Sequence, residues 1–116
     1  MVNKTAVVSG GARGIGRAIV RRFCERGYRV FILDIDEEEL KHATYNNMKE
    51  YSDAKFLDFA VCDLRKVDDI REKVKQAADF LGGRIDVLVN NGGIASPQWK
   101  DGATMLDMET ITQWQA

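Results

Sequence analysis

This sequence is short of the residues that mark specialised chains: 116 residues hold one proline, two cysteines and one histidine. So little proline, with 45% hydrophobic and 30% charged residues, excludes a disordered or fibrous protein. Cys24 and Cys62 stand far apart in apolar surroundings and form no CxxC pair of metal or redox spacing. Both are read as reduced core residues. His42 lies in a charged helical stretch and is read as a surface residue, so no metal site is expected. No apolar run approaches the roughly 20 residues that span a bilayer. The N-terminus passes directly into a short strand-like run instead of a signal-peptide core, so a cytoplasmic location without a membrane partner is expected. Seventeen basic and eighteen acidic residues leave a net charge of −1, with no long block of either sign. That balance argues against nucleic acid or another large polyanion as partner. There is no repeat, and the one linker-like stretch is the Gly-, Ser- and Pro-containing loop 92–102. One domain, 1–116, is expected.

What is present is a regular alternation. Residues 5–8 are β-rich and apolar on both faces, as a strand covered by helices on each side would be. From Gly14 onward Ile15, Ala18, Ile19, Phe23 and Cys24 recur at helical spacing, and Gly27 supplies the stop. A second strand is expected over 29–33. Asp36 and Glu39 then resemble an acidic capping box that opens a helix through about Met48. A third strand is expected over 56–61. A third helix carries Val67, Ile70, Val74, Ala77, Ala78 and Leu81 on one stripe and ends at Gly82 and Gly83, and a fourth strand covers 85–89. Strands alternating with amphipathic helices imply right-handed crossovers, hence an α/β doubly wound parallel sheet of Rossmann type. Ligands bind such sheets beyond the carboxyl ends of the strands.

The segment VSGGARGIG, residues 8–16, falls at the first of these ends. A strand turning sharply into a helix leaves unpaired N–H groups and the positive end of a helix dipole facing the turn, which suits a diphosphate. Gly10, Gly14 and Gly16 meet the need for positive φ, close phosphate approach and tight helix packing. The spacing departs from GxGxxG. It also fails as a nucleoside-triphosphate loop, because Arg17 and Ala18 stand where that loop needs lysine and a hydroxyl. Asp34, about twenty residues on at the end of the second strand, is an acid placed to accept hydrogen bonds from an adenosine ribose. Loop and acid together point to a dinucleotide.

With Asp63-Leu64 after the third strand and NNGG, residues 90–93, after the fourth, the chain resembles the short-chain dehydrogenase/reductases. Their glycine pattern TGxxxGxG is matched by residues 9–16 with Ser9 for threonine, and their NNAG motif by residues 90–93 with Gly92 for alanine. The resemblance implies that Asp63 lies beside the adenine ring. It further implies a cofactor site made by Ser9, Gly10, Arg13, Gly14, Ile15, Gly16, Asp34, Ile35, Asp63, Leu64, Asn90 and Gly92. The activity implied is hydride transfer between NAD(P) and an alcohol or carbonyl compound, in a protein whose full-length form is a homo-oligomer.

NAD is expected over NADP, because a 2′-phosphate beside Asp34 would meet a like charge, and Ile35 and Asp36 offer no cation there. Arg13 pulls the other way, since in this family a basic residue before the second glycine often accompanies NADP; it is expected to pair with Asp34 or the diphosphate instead. The family's catalytic serine, its YxxxK pair and the asparagine of the following helix cannot be assigned. Tyr45 with Lys49 and Tyr51 with Lys55 match YxxxK literally, but they fall between the second and third strands and are read as surface residues. Pro97 and Trp99 assign no substrate. The chain ends at ITQWQA, residues 111–116, inside what reads as that following helix, so it looks cut short. The favoured reading is therefore the cofactor-binding half of an oxidoreductase. The alternative is a short product that binds nucleotide, or a partner through an exposed sheet edge, and catalyses nothing. Without neighbours beyond it the fourth strand would be an apolar edge. The isolated chain is accordingly expected to be aggregation-prone or molten, and a sharp, reversible thermal transition in a monomeric sample would refute this.

Overall fold

A computed structural model of the chain describes residues 3–91. Its elements run β1 (Thr5–Ser9), α1 (Gly14–Glu25), β2 (Arg29–Asp34), α2 (Glu37–His42), a π-helical turn (Ala43–Asn47), α3 (Lys49–Asp53), β3 (Leu57–Val61), α4 (Val67–Phe80) and β4 (Val87–Asn90). The four strands form one sheet in the order β3-β2-β1-β4, every pair parallel. This is the expected doubly wound α/β architecture.

Side-chain alternation divides the core in two. Ala6 and Val8 of β1 and Val30 and Ile32 of β2 pack with Val20 and Cys24 of α1, with Leu40 of α2 and with Met48. The intervening residues Val7, Phe31 and Leu33 face the other way and pack with Ile70 and Ala77 of α4 and with Leu81. A strand that contributes to both clusters must be apolar throughout, which is why β1 and the interior of β2 are buried at every position. Within α1 the buried residues Gly16, Val20 and Cys24 recur every fourth position, whereas Ala18 of the expected apolar set is exposed.

The second helical segment runs past its expected end near Met48, to Asp53, by inserting the π-helical turn. There the Met48 N–H donates to the Ala43 carbonyl at 2.9 Å, five residues back. The wider turn lets Leu40, Ala43, Thr44 and Met48 all point inward. Arg21 of α1 closes the end of that turn by donating to the Asn47 carbonyl at 2.8 Å. The capping expectation holds, since the Asp36 carboxylate accepts the Glu39 N–H at 3.1 Å.

β4 begins two residues later than the sequence indicates. Ahead of it Asp86 clamps the strand to the start of β1, where its carboxylate accepts the Thr5 N–H at 2.8 Å. The Thr5 N–H is the first cause of the depressed Asp86 carboxyl pKa, with Arg84 adding to it. Among the described residues β4 is an edge strand. Val87 and Val89 pack on the α1 side, but Leu88, paired in register with fully buried Val7, is 54% exposed. No helix of the described residues is long and apolar enough to cross a membrane.

Each face of the sheet holds one cysteine, Cys24 on the α1 side and Cys62 on the α4 side. Burial pushes the Cys24 thiol up to about 12 and the Cys62 thiol up to about 11, with the Asp69 carboxylate adding to the latter. Both thiols stay protonated in the folded chain, whereas in the unfolded chain they ionise from about pH 9. Their contribution to stability is thus complete below pH 9 and is lost as pH rises toward 11 or 12. In the native chain at pH 8 neither thiol should react with a thiol-specific disulfide reagent, and both should do so in urea. Between pH 9 and 11 the urea midpoint should fall further for the parent than for a Cys24→Ala/Cys62→Ala variant. Rapid native labelling of either cysteine would contradict this burial.

Candidate functional site

The carboxyl ends of β1, β2 and β3 all open on one rim, and β4 closes its far side. At the end of β1, Gly10 and Gly14 take positive φ values of 65° and 59°, which turn the chain back into α1. Gly10 is held by its N–H donating to the Leu33 carbonyl at 2.7 Å. Gly16 lies where helix and turn touch. A Cβ there would overlap the Gly10 carbonyl oxygen and stand 2.6 Å from Asn91 Nδ2. Gly11 is excluded from carrying a side chain for another reason, since its Cβ would meet Ile32 and Val20 at 2.8 Å. The sequence shows that glycine but not this packing role.

The first residue of α1 to bond within the helix is Arg17, whose N–H donates to the Arg13 carbonyl at 3.3 Å. The N–H groups of Gly14, Ile15 and Gly16 precede it and have no acceptor within the helix. Arg13, at the N-cap, provides no side-chain cap, and the first turn of α1 contains no acid. The first turns of α2, α3 and α4 each contain at least one. The positive end of a twelve-residue helix therefore faces the rim without an acidic side chain of its own first turn to offset it. Ile15 is 76% exposed beside it.

Asp34 ends β2. Its Oδ2 accepts the Ala12 N–H at 3.3 Å, while Oδ1 accepts the N–H groups of Ile35 at 2.7 Å and Asp36 at 3.3 Å. Those bonds tie the glycine turn to the next strand and fix the carboxylate on the rim. Arg13 does not pair with Asp34 as one expectation had it. Its guanidinium lies 4.0 Å from Asp36, an exposed pair of little energetic weight. Three backbone N–H groups fill most of the acceptor positions of the Asp34 carboxylate.

Asp63 follows β3. Its backbone N–H donates to Asp69 of α4 at 2.7 Å, and Lys73, one turn on, donates to the same carboxylate at 2.9 Å. The Asp63 carboxylate accepts three bonds from Arg65: the backbone N–H and Nε on Oδ1, both at 3.0 Å, and Nη2 on Oδ2 at 3.1 Å. The Arg65 guanidinium holds the Asp63 carboxyl below the usual carboxylate range, and the Asp63 N–H and Lys73 do the same for Asp69. Gly10, Asp34, Ile35, Asp63, Leu64 and Arg65 line one pocket of about 100 Å³ with Cys62 at its floor. That is well below the roughly 300–1,000 Å³ of a drug-sized ligand site. It has room for one end of a ligand, with the remainder lying across the open rim.

On the β4 side Ser9 Oγ donates to the Val89 carbonyl and to Asn90 Oδ1, both at 3.4 Å, in the register that pairs Ser9 with Asn90. Asn91 Nδ2 reaches the Gly10 carbonyl at 3.2 Å, through the space that Gly16 leaves open. Of the expected site, Ser9, Gly10, Arg13, Gly14, Ile15, Gly16, Asp34, Ile35, Asp63, Leu64 and Asn90 thus gather along one rim; Gly92 lies outside the described residues, as do Pro97 and Trp99. Arg65 and Asn91 were not anticipated. Asn91 was visible as the second asparagine of NNGG, while Arg65 has no sequence signal beyond its place two residues after Asp63.

The two literal YxxxK pairs lie elsewhere, in the segment between β2 and β3. Tyr45 is half exposed and packs edge-on against Phe59, and Lys49 pairs with Asp53. Tyr51 is half-buried against the α1-side core, and so is not the surface residue expected. Among the described residues no group of three or more His, Cys, Asp or Glu could hold a metal ion.

The sequence matches the short chain dehydrogenase family over residues 4–115. It is 39% identical over 109 residues to the sex determination protein tasselseed-2 of Zea mays, covering 91% of this chain and 30% of that one. Over 96 residues it is 42% identical to a 3-oxoacyl-acyl-carrier-protein reductase of Chlamydia muridarum, covering 81% and 37%. Among solved structures, an actinorhodin polyketide ketoreductase with NADPH aligns at a TM-score of 0.67 and 37% identity, over 77% of this chain and 33% of that one. A 3-ketoacyl-acyl-carrier-protein reductase from Brucella melitensis complexed with NADH gives 0.64 at 25% identity, over 76% and 34%. The chain spans about a third of the length of these relatives. The strand order, the glycine turn with the acid beyond it, and the match over residues 4–115 agree, and the chain belongs to the short chain dehydrogenase family.

Proposed function

We propose that this chain, as one domain, supplies the dinucleotide-binding part of an oxidoreductase that transfers hydride between NAD and an alcohol or carbonyl substrate. The observation that carries the reading is the meeting of three suited groups on one rim. These are the uncapped, acid-free start of α1, the Asp34 carboxylate and the pocket beside Asp63. The residues fit such a group, because Gly10 and Gly14 turn the chain at positive φ and leave the N–H groups of Gly14, Ile15 and Gly16 without an acceptor within the helix.

In this reading the turn from Ser9 to Gly16, with Arg13 and Ile15, binds the diphosphate through backbone N–H groups. Asp34 accepts from the adenosine ribose, and Ile35, Asp63 and Leu64 bind the base. Asn90 and Gly92 border the nicotinamide side. When bound, the nicotinamide supplies the hydride donor or acceptor. The described residues orient it and assign no acid or base for the alcohol proton. Relatives in complex with NADPH and with NADH support the dinucleotide without choosing between its two forms.

The choice of NAD rests on Asp34. Three backbone N–H groups fix its carboxylate, so it cannot swing away from a 2′-phosphate without breaking them. Two like charges about 4 Å apart repel by roughly 4 kcal/mol at an effective dielectric of twenty; with solvent and salt, about 1–2 kcal/mol of that remains, or near tenfold in affinity. Arg13, exposed and loosely paired with Asp36, offsets part of this without displacing Asp34. Titrating the chain with NADH and NADPH by calorimetry should give NADH about tenfold tighter, and Asp34→Ala should close most of that gap. Tighter NADPH binding by the parent would reverse the NAD assignment, and binding of neither by a folded, monomeric sample would overturn the dinucleotide reading.

A further inference from the structure

We infer that Arg65 is a base-binding residue of this site, its guanidinium held flat by Asp63 so that it stacks on a purine ring. The inference rests on the dinucleotide reading and goes beyond it, assigning a task to a residue that no motif marks.

The geometry of the Asp63–Arg65 pair points to this role. Nε and Nη2 of Arg65 meet Oδ1 and Oδ2 of Asp63 at 3.0 and 3.1 Å, a two-pronged pairing that fixes the plane of the guanidinium as well as its position. The Arg65 N–H adds a third bond to Oδ1 at 3.0 Å, so backbone and side chain of one residue grip the same carboxylate. Asp63 is itself anchored from behind. Its N–H is held by Asp69, whose carboxylate Lys73 also binds, and the Lys66 N–H closes a turn on the Asp63 carbonyl at 3.0 Å. A long side chain that would otherwise sample many rotamers is therefore confined, and less ordering entropy remains to be lost when a ligand arrives.

Position and chemistry agree with that confinement. The Arg65 side chain is 58% exposed although Asp63 beneath it is only 16% exposed, so the cation keeps an open surface while its partner is covered. Both line the small pocket that Ile35 and Leu64 make apolar. A planar cation bordering an apolar slot suits an aromatic ring, which it attracts through the ring's face. Three bonds from Arg65 occupy three of the roughly four acceptor positions of a carboxylate, so the two side chains are held as one unit. A lysine at 65 would supply the charge but neither the plane nor the two-pronged grip.

The test separates the base from the phosphates. The chain and its Arg65→Met and Arg65→Lys variants are titrated with ADP, and with inorganic pyrophosphate in competition against NADH, with thermal midpoints recorded alongside. Both substitutions should weaken ADP by about 3- to 10-fold, leave pyrophosphate within about twofold and leave the thermal midpoint unchanged. Recovery of ADP binding by lysine, with equal loss of pyrophosphate in the methionine variant, would make Arg65 a plain phosphate charge and overturn the inference. Equal loss of both ligands with a lowered midpoint would make it a structural brace, and unchanged ADP binding would remove it from the site; either overturns it. A parent chain that melts cooperatively as a monomer yet binds neither ADP nor NADH would overturn the dinucleotide reading as well, whereas the other outcomes leave that reading standing.

Discussion

The close approach of α1 to the end of β1 is the constraint on which the rest of this structure depends. At Gly16 the helix touches the carbonyl of Gly10, and at Gly11 the turn lies against Ile32 and Val20 with no room for a methyl group. A side chain at either place would force the helix outward, and overpacking of this kind typically costs about 1–3 kcal/mol. More follows from that contact than stability. It brings the free N–H groups of α1 level with the ends of β2 and β3, and it opens the space through which Asn91 reaches the Gly10 carbonyl. Three strand ends and one helix start become a single rim because the helix can come this near.

A second theme is that the rim is braced from the two core layers separately. On the α1 side, Asp34 reaches back to the Ala12 N–H and locks the glycine turn to β2. On the α4 side, Lys73 and Asp69 hold the backbone of Asp63, and Asp63 in turn holds Arg65. These polar ties are part-exposed and individually modest. Their value lies in fixing carboxylates in place before any ligand is present, so that binding loses little to rearrangement. The apolar residues beneath them are the same ones that fill the core, among them Ile32, Leu33 and Ile70, so packing and preorganisation share their supports.

The parts most legible in the sequence were those governed by local rules. β1 reads as a covered strand because every residue in it must face one of two cores, and Gly27 marks the end of α1 because the chain takes a left-handed conformation there, at a φ of 83°. Asp36 capping Glu39 was readable for the same reason. What the sequence concealed depended on contacts between distant segments. The second helix reads as ending near Met48, yet the π-helical turn carries it to Asp53 and buries Ala43, Thr44 and Met48 together, which regular helical spacing does not announce. Arg13, expected beside Asp34 or the diphosphate, lies 4.0 Å from Asp36, while three backbone N–H groups hold the Asp34 carboxylate. Tyr51, read as a surface residue from its place between the second and third strands, packs half-buried against the α1-side core.

By itself, then, the sequence determined the alternation of strands and helices, the sharp turn after β1 and the acids waiting at the ends of β2 and β3, because each of these follows from residue type and spacing along the chain. Only the tertiary structure decided that Arg65 grips Asp63, that Asn91 closes onto Gly10, and that Leu88 stands exposed beside buried Val7. Spacing along the chain says which face or which end a residue occupies. The neighbour it finds there depends on how strands are ordered in the sheet and how closely a helix can settle on them, and those are properties of the packed whole.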